Sequence, residues 1–205
     1  MHTVAVLNEK GGSGKTTIAT NLASAWQRDA YRVLLVDVDP QATALDWSAF
    51  GDTDVTVVTI GRGNLDRDLR RVSDSFDLAV IDGAPRMTKL TAASVHVSDL
   101  VLIPVRPSAP DIWSAETVVD VCEQQETPAA FVVSSAVVGT TLSDVADDAL
   151  STFGIPVLSA RTHQRVAYAR AIGRGASVLD LSGATKAAAE IRDLADEVLT
   201  HLPTS

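Results

Sequence analysis

The sequence predicts an α/β domain: a mostly parallel central sheet of about seven to eight strands with helices on both faces. Three observations lead there. Seven short apolar runs alternate with helix-like stretches along the whole chain. The runs are rich in Val, Ile and Leu and mostly continuous, as in strands buried on both faces; a strand with one wet face alternates apolar and polar residues. A glycine-rich turn follows the first run directly and leads into a helix. Alternation on this scale requires crossover connections, so the sheet is expected to be parallel and its crossovers right-handed.

In chain order, "TVAVLN" (3–8) is the first expected strand and 15–29 the first helix, beginning at Lys15 after the glycines. "YRVLLVDV" (31–38) follows, then helix 42–50 beyond Pro40. "VTVVTI" (55–60), "FDLAVID" (76–82) and "DLVLIPV" (99–105) are expected strands, with helices at 64–74 and 88–97 between them. "PVRPSAPD" (104–111) reads as a rigid loop, because its three prolines stop the strand. Helix 111–126, strand "AAFVVSSAV" (129–137), helix 141–153, strand "IPVLSA" (155–160) and a helix at about 163–173 come next. The last segment, 184–202, places Ile191, Leu194, Ala195, Val198, Leu199 and Leu202 on one stripe. Its other face carries Glu190, Asp193, Asp196 and Glu197, where a membrane-surface helix would carry Lys and Arg. A packed terminal helix is expected.

At 205 residues, with no repeats, low-complexity tracts or linkers, the chain reads as a single domain, 1–205. One cysteine, Cys122, excludes an internal disulfide, a multi-cysteine zinc site and a cysteine-ligated iron–sulfur cluster within one chain. It is expected to be packed inside a helix. No apolar run approaches the ~20 residues that span a bilayer. Met1 leads straight into a strand, with no basic segment or cleavage site ahead, so a cytoplasmic protein is expected. A net charge of −9 argues against indiscriminate attraction to DNA or anionic lipid. Any nucleic-acid contact must come from a local patch.

The chemistry concentrates in "NEKGGSGKTT" (8–17). The usual phosphate-binding loop reads G-x-x-x-x-G-K-[ST]. Here Gly14, Lys15 and Thr16 fill its end, but Glu9 occupies the first glycine position, with a second lysine, Lys10, beside it. Gly11, Gly12, Ser13 and Gly14 can turn backbone N–H groups toward phosphate oxygens, and the helix N-terminus adds its positive dipole end. Lys15 is expected on the β- and γ-phosphates, the Thr16 hydroxyl on Mg²⁺, and Thr17 completes the loop. Two acidic strand ends belong to the same sheet edge, where open α/β sheets bind ligands. Asp82, in "LAVIDGAP", is the expected Mg²⁺-holding acid. In "VLLVDVDPQ", Asp39 is expected to orient or deprotonate the attacking water, and Asp37 either helps with the metal or caps local backbone.

Together "KGGSGKTT", "VDVDPQ" and "VIDGAP" resemble the deviant Walker A, switch I and Walker B segments of the ParA/MinD family of P-loop ATPases. "SDLVLIPVRPSAPD" and "HQRVAYARAIGRGASVLDL" extend the likeness over essentially the whole chain, toward short ParF-like partition ATPases without an N-terminal helix-turn-helix domain. The resemblance implies ATP and Mg²⁺ as cofactors, weak ATPase activity that a ParB-like or cargo-adaptor protein stimulates, and an ATP-dependent homodimer. In that homodimer Lys10 would reach the partner copy's phosphates. It also implies binding of nonspecific nucleoid DNA through basic C-terminal residues. Here Arg161, Arg165, Arg170 and Arg174 fall in a stretch, Gly154–Leu179, without one Asp or Glu. The cargo would be a plasmid or another large body such as a carboxysome or chemoreceptor cluster. Two alternatives share the scaffold: a MinD-like membrane switch for division-site placement, and a metabolic ATP-dependent ligase.

Overall fold

The computed structural model describes residues 1–60, 64–86 and 89–203. Six strands form one sheet in the order β3-β2-β4-β1-β5-β6: β1 His2–Val6, β2 Val33–Asp37, β3 Thr56–Thr59, β4 Leu78–Asp82, β5 Leu100–Val105 and β6 Ala129–Val133. Every pairing is parallel. The helices are α1 Lys15–Arg28, α2 Thr43–Phe50, α3 Leu65–Val72, α4 Lys89–His96, α5 Ala109–Trp113, α6 Glu116–Gln124, α7 Leu142–Ser151, α8 Val166–Ile172 and α9 Thr185–His201.

The continuous apolar runs have the expected cause. Side chains alternate across a strand, and both faces are covered. Val4 and Val6 point into one core with Ile18, Leu22 and Trp26 of α1 and Ile191, Leu194 and Val198 of α9. Ala5 and Leu7 point into the other, with Leu65 and Leu69 of α3, Val118 and Cys122 of α6, and Leu150 of α7. Burial, with a smaller push from Glu123, raises the Cys122 thiol to about 12. The α9 stripe lies in the first core, so its apolar face is already occupied. Among the described residues no helix is long and apolar enough to cross a membrane.

Three expectations are corrected. Among the described residues the sheet has six strands, because 155–160 contributes a single parallel bridge, Phe131 to Val157. The segment does run beside β6, with Phe131 N–H donating to Pro156 O and Leu158 N–H to Phe131 O. Pro156 itself has no N–H to offer, and the ladder stops there. The expected helix 111–126 is two helices, α5 and α6, with α5 starting inside the proline-rich loop. The helix expected over 163–173 is shorter, since Arg165 keeps an extended backbone and α8 starts at Val166. Thr88, the expected start of α4, lies outside the described residues.

Candidate functional site

The glycine loop leaves the C-terminal end of β1, which is flanked by β4. Strand register sets Val6 beside Asp82 and Asp37 beside Asp82, so the three strand ends converge. Gly83 permits this convergence: a Cβ there would stand 2.4 Å from Leu7 Cδ2 and 2.9 Å from Val6 O. Asn8 fixes the start of the loop, donating to Pro104 O at 2.8 Å and accepting from Lys10 N–H at 2.8 Å. Gly14 adopts φ 101 as the residue preceding α1, a left-handed conformation that favours glycine. Ser134 Oγ donates to Ser13 O at 2.6 Å and ties the loop to the end of β6.

Lys15 is buried and donates from Nζ to Lys10 O at 3.0 Å, bridging the loop it belongs to. Burial pulls its ammonium below the usual lysine range, against the pull of Asp82 and Asp39. Thr16 Oγ1 donates to Asp82 Oδ2 at 2.7 Å. Asp82 is fully buried, and among the described residues its Oδ1 has no hydrogen-bond partner. Burial, partly offset by the Thr16 bond and then reinforced by Asp37, raises its carboxyl to about 7. A buried carboxylate oxygen with nothing to accept from, beside a hydroxyl, is the donor set a hard cation takes. Thr16 and Asp82 therefore fit Mg²⁺.

Asp39 is half-exposed. Its Oδ1 accepts from Gln41 N–H at 2.9 Å, and it lines a cleft of ≈ 190 Å³ with Gly11, Gly12, Lys15, Thr16 and Pro85. Asp37 takes the second of its two expected roles. Oδ1 accepts from Asp39 N–H at 3.0 Å, while Oδ2 accepts from Ala44 N–H at 2.8 Å and Leu45 N–H at 3.2 Å. Both oxygens accept from backbone N–H groups, so Asp37 shapes the Asp39 loop and caps α2, and these contacts do not bear on the metal role also expected of it.

Lys10 is half-exposed, with Nζ 3.8 Å from Asp111 Oδ2. Asp111 is buried in α5, where Arg106 Nε donates to its Oδ1 at 3.2 Å and Ser108 Oγ to its Oδ2. Sequence reasoning gave no residue of that segment a role of its own. Glu9, the departure from the usual pattern, accepts through its backbone O from Arg86 N–H at 3.0 Å, linking the glycine loop to the turn after Asp82.

A second hollow of ≈ 300 Å³ opens on the far side of Gly14 and Thr17, which line both cavities. Ser134, Ser135, His163, Arg165 and Tyr168 complete it. A larger hollow of ≈ 540 Å³ lies at the opposite edge of the sheet, around Met1, Arg32 and Asp77, away from the glycine loop. The four basic-patch arginines divide into two pairs. Arg161 is held by Asp147 at 3.1 Å and Arg165 by Glu190. Arg170 and Arg174 are exposed, with no ion-pair partner among the described residues.

With this geometry, the sequence matches over residues 4–178 the family described as the CobQ/CobB/MinD/ParA nucleotide binding domain. The chain belongs to that family. It is 31% identical over 208 residues to maintenance of carboxysome distribution protein A of Halothiobacillus neapolitanus, covering 96% of each chain. It is 34% identical over 207 residues to the protein of the same description in Gloeobacter kilaueensis, covering 95% of this chain and 93% of that one. An ATP complex of a McdA variant from Cyanothece superposes with a TM-score of 0.77 at 18% identity, over 100% of this chain and 98% of the other. That last likeness concerns the fold.

Proposed function

We propose that this chain is an ATP-driven switch that dimerises on Mg·ATP, binds DNA without regard to sequence, and positions a large cargo over the nucleoid. The observation that carries the reading is the meeting of Lys10, Lys15, Thr16, Asp39 and Asp82 at one mouth of the sheet. The triphosphate would lie along the glycine loop with Lys15 on its terminal phosphates, and the base would enter the hollow beyond Thr17. Thr16 and Asp82 would hold Mg²⁺, which would neutralise charge on the transferred phosphoryl group. Asp39 orients the attacking water. Lys10 exchanges Asp111 for the partner copy's phosphates, so closure depends on nucleotide.

Arg170 and Arg174 are the proposed DNA contacts, since both are exposed and uncommitted. Arg161 and Arg165 would first have to leave Asp147 and Glu190. The two full-length relatives suggest a carboxysome as one cargo and a plasmid remains another, with hydrolysis stimulated by a cargo-bound adaptor. The test is co-sedimentation with mixed-sequence DNA at low salt. Retention with Mg·ATP and release with Mg·ADP are expected. ATP-dependent retention on anionic vesicles instead would establish the MinD-like alternative, and turnover of a small molecule without a protein partner the ligase.

A further inference from the structure

Phe50, the last residue of α2, is 82% exposed, more than any other large apolar side chain among the described residues. The packed side of α2 is supplied by Ala44 and Trp47, both buried, and Trp47 Nε1 donates to Ala176 O at 3.0 Å. Phe50 takes no part in that packing, yet its backbone is fixed at a close joint. A Cβ on Gly51 would stand 1.8 Å from Gly175 O and 2.9 Å from Gly175 Cα, so the two chains touch there. The residues that precede the two glycines are Phe50 and Arg174. Arg170 lies four residues before Arg174, and Val166, four further back at the start of α8, is 76% exposed. The two arginines without an ion-pair partner among the described residues are thus flanked by two exposed apolar side chains. Three acids lie near Phe50 in the chain. Asp52 and Asp54 line a separate hollow with Arg28 and Asp180, and Asp46, one turn before Phe50 on α2, is exposed.

We propose that Phe50 is an apolar contact to double-stranded DNA, entering a groove beside the phosphates that Arg170 and Arg174 hold. The inference rests on the DNA reading above. Arginine–phosphate contacts gain affinity by releasing counterions, so their contribution falls away as salt rises. An aromatic ring set against sugars and base faces gains by leaving water, and salt does not screen that gain. Neither contact reads the hydrogen-bonding edge of a base, so indifference to sequence is kept. Asp46 favours DNA over an anionic bilayer. A groove admits the ring and leaves the acid outside, whereas a plane of headgroups presses on both.

The test measures binding of a mixed-sequence duplex with Mg·ATP, from about 50 to about 200 mM salt, to the wild-type protein, Phe50→Ala, Phe50→Leu and Arg170→Ala. Sedimentation velocity of each reports whether it still dimerises. Phe50→Ala is expected to bind about tenfold more weakly at every salt concentration, with the slope of log affinity against log salt unchanged. Arg170→Ala is expected to lower that slope by about one, and Phe50→Leu, still apolar, to keep most of the affinity. Undiminished binding by Phe50→Ala, a lower slope in it, or an equal loss in Phe50→Leu overturns the proposal. So does a Phe50→Ala protein that no longer dimerises, which would give the ring to a face between copies. Retention of wild type on anionic vesicles in place of DNA, lost in Phe50→Ala, would give it to a membrane. Weaker binding by Arg170→Ala alone overturns the proposal and leaves the DNA reading standing. A wild-type dimer that ignores DNA overturns both.

Discussion

Replacing Asp82 by Asn separates what this carboxylate does for the fold from what it does for the site. In the ligand-free protein its carboxyl is raised to about 7, chiefly by burial. In the unfolded chain it returns to about 4. The folded state therefore holds a proton that the unfolded state has lost between those values, and stability falls as pH rises from about 4 to about 7. A rise of about three units corresponds to about 4 kcal/mol above pH 7. Asn removes the charge and can still accept from Thr16, but it places an amide where Oδ1 has no partner, which costs back about 2 kcal/mol. The net expectation is an apo variant more stable by about 2 kcal/mol at pH 8 and about equal to wild type at pH 5. For a chain of this length that is a gain of about 4–8 °C in Tm at pH 8. Mg·ATP should raise the wild-type Tm and raise the variant's far less. Thermal melts at both pH values, with and without Mg·ATP, provide the measurement. A variant that melts below wild type at pH 8, or an equal gap at the two pH values, refutes the electrostatic argument.

Gly175→Ala should unfold the joint between α2 and the loop after α8. A Cβ at Gly175 would lie 2.2 Å from Gly51 N and 2.5 Å from Trp47 O, at φ +62, so backbone must move. A loss of more than about 3 kcal/mol in denaturant melts is expected, and less than about 1 kcal/mol would show that the joint yields. Arg170→Ala with Arg174→Ala should sharply weaken retention on DNA and leave basal ATP turnover within about twofold. Removing two phosphate contacts should also flatten the salt dependence of what binding remains by about two units of slope. Undiminished DNA retention by the double variant would move the DNA surface elsewhere.

The parts legible in the sequence are those written contiguously. The glycine loop, the β4–Asp82 end and the Asp37–Asp39 turn each occupy one short stretch whose local chemistry names its role. Asp37 was ambiguous because an acid at a strand end serves a metal or the next helix equally well, and only the fold brings Ala44 and Leu45 N–H to it. Asp111 and Glu190 were not read as site residues. Asp111 reaches the loop only because β1 and β5 are neighbours, and Glu190 meets His163 only once α9 has packed. The charge gap at 154–179 counted four arginines alike, yet the acids that hold two of them, Asp147 and Glu190, lie outside that window. The seventh strand failed on both sides of Val157: Pro156 lacks an N–H, and Ser159 and Ala160 give theirs to the Glu197 carboxylate, neither of which a count of apolar residues registers.

The central claim is that nucleotide closes two copies on each other through Lys10. Sedimentation velocity of Asp39→Ala with Mg·ATP tests it most directly, because loss of the carboxylate proposed to orient the water should preserve the triphosphate during the run. The account predicts a dimer with Mg·ATP, a monomer with Mg·ADP, and a monomer under both conditions when Lys10→Ala is added. A protein that binds Mg·ATP yet sediments as a monomer at tens of micromolar would contradict it.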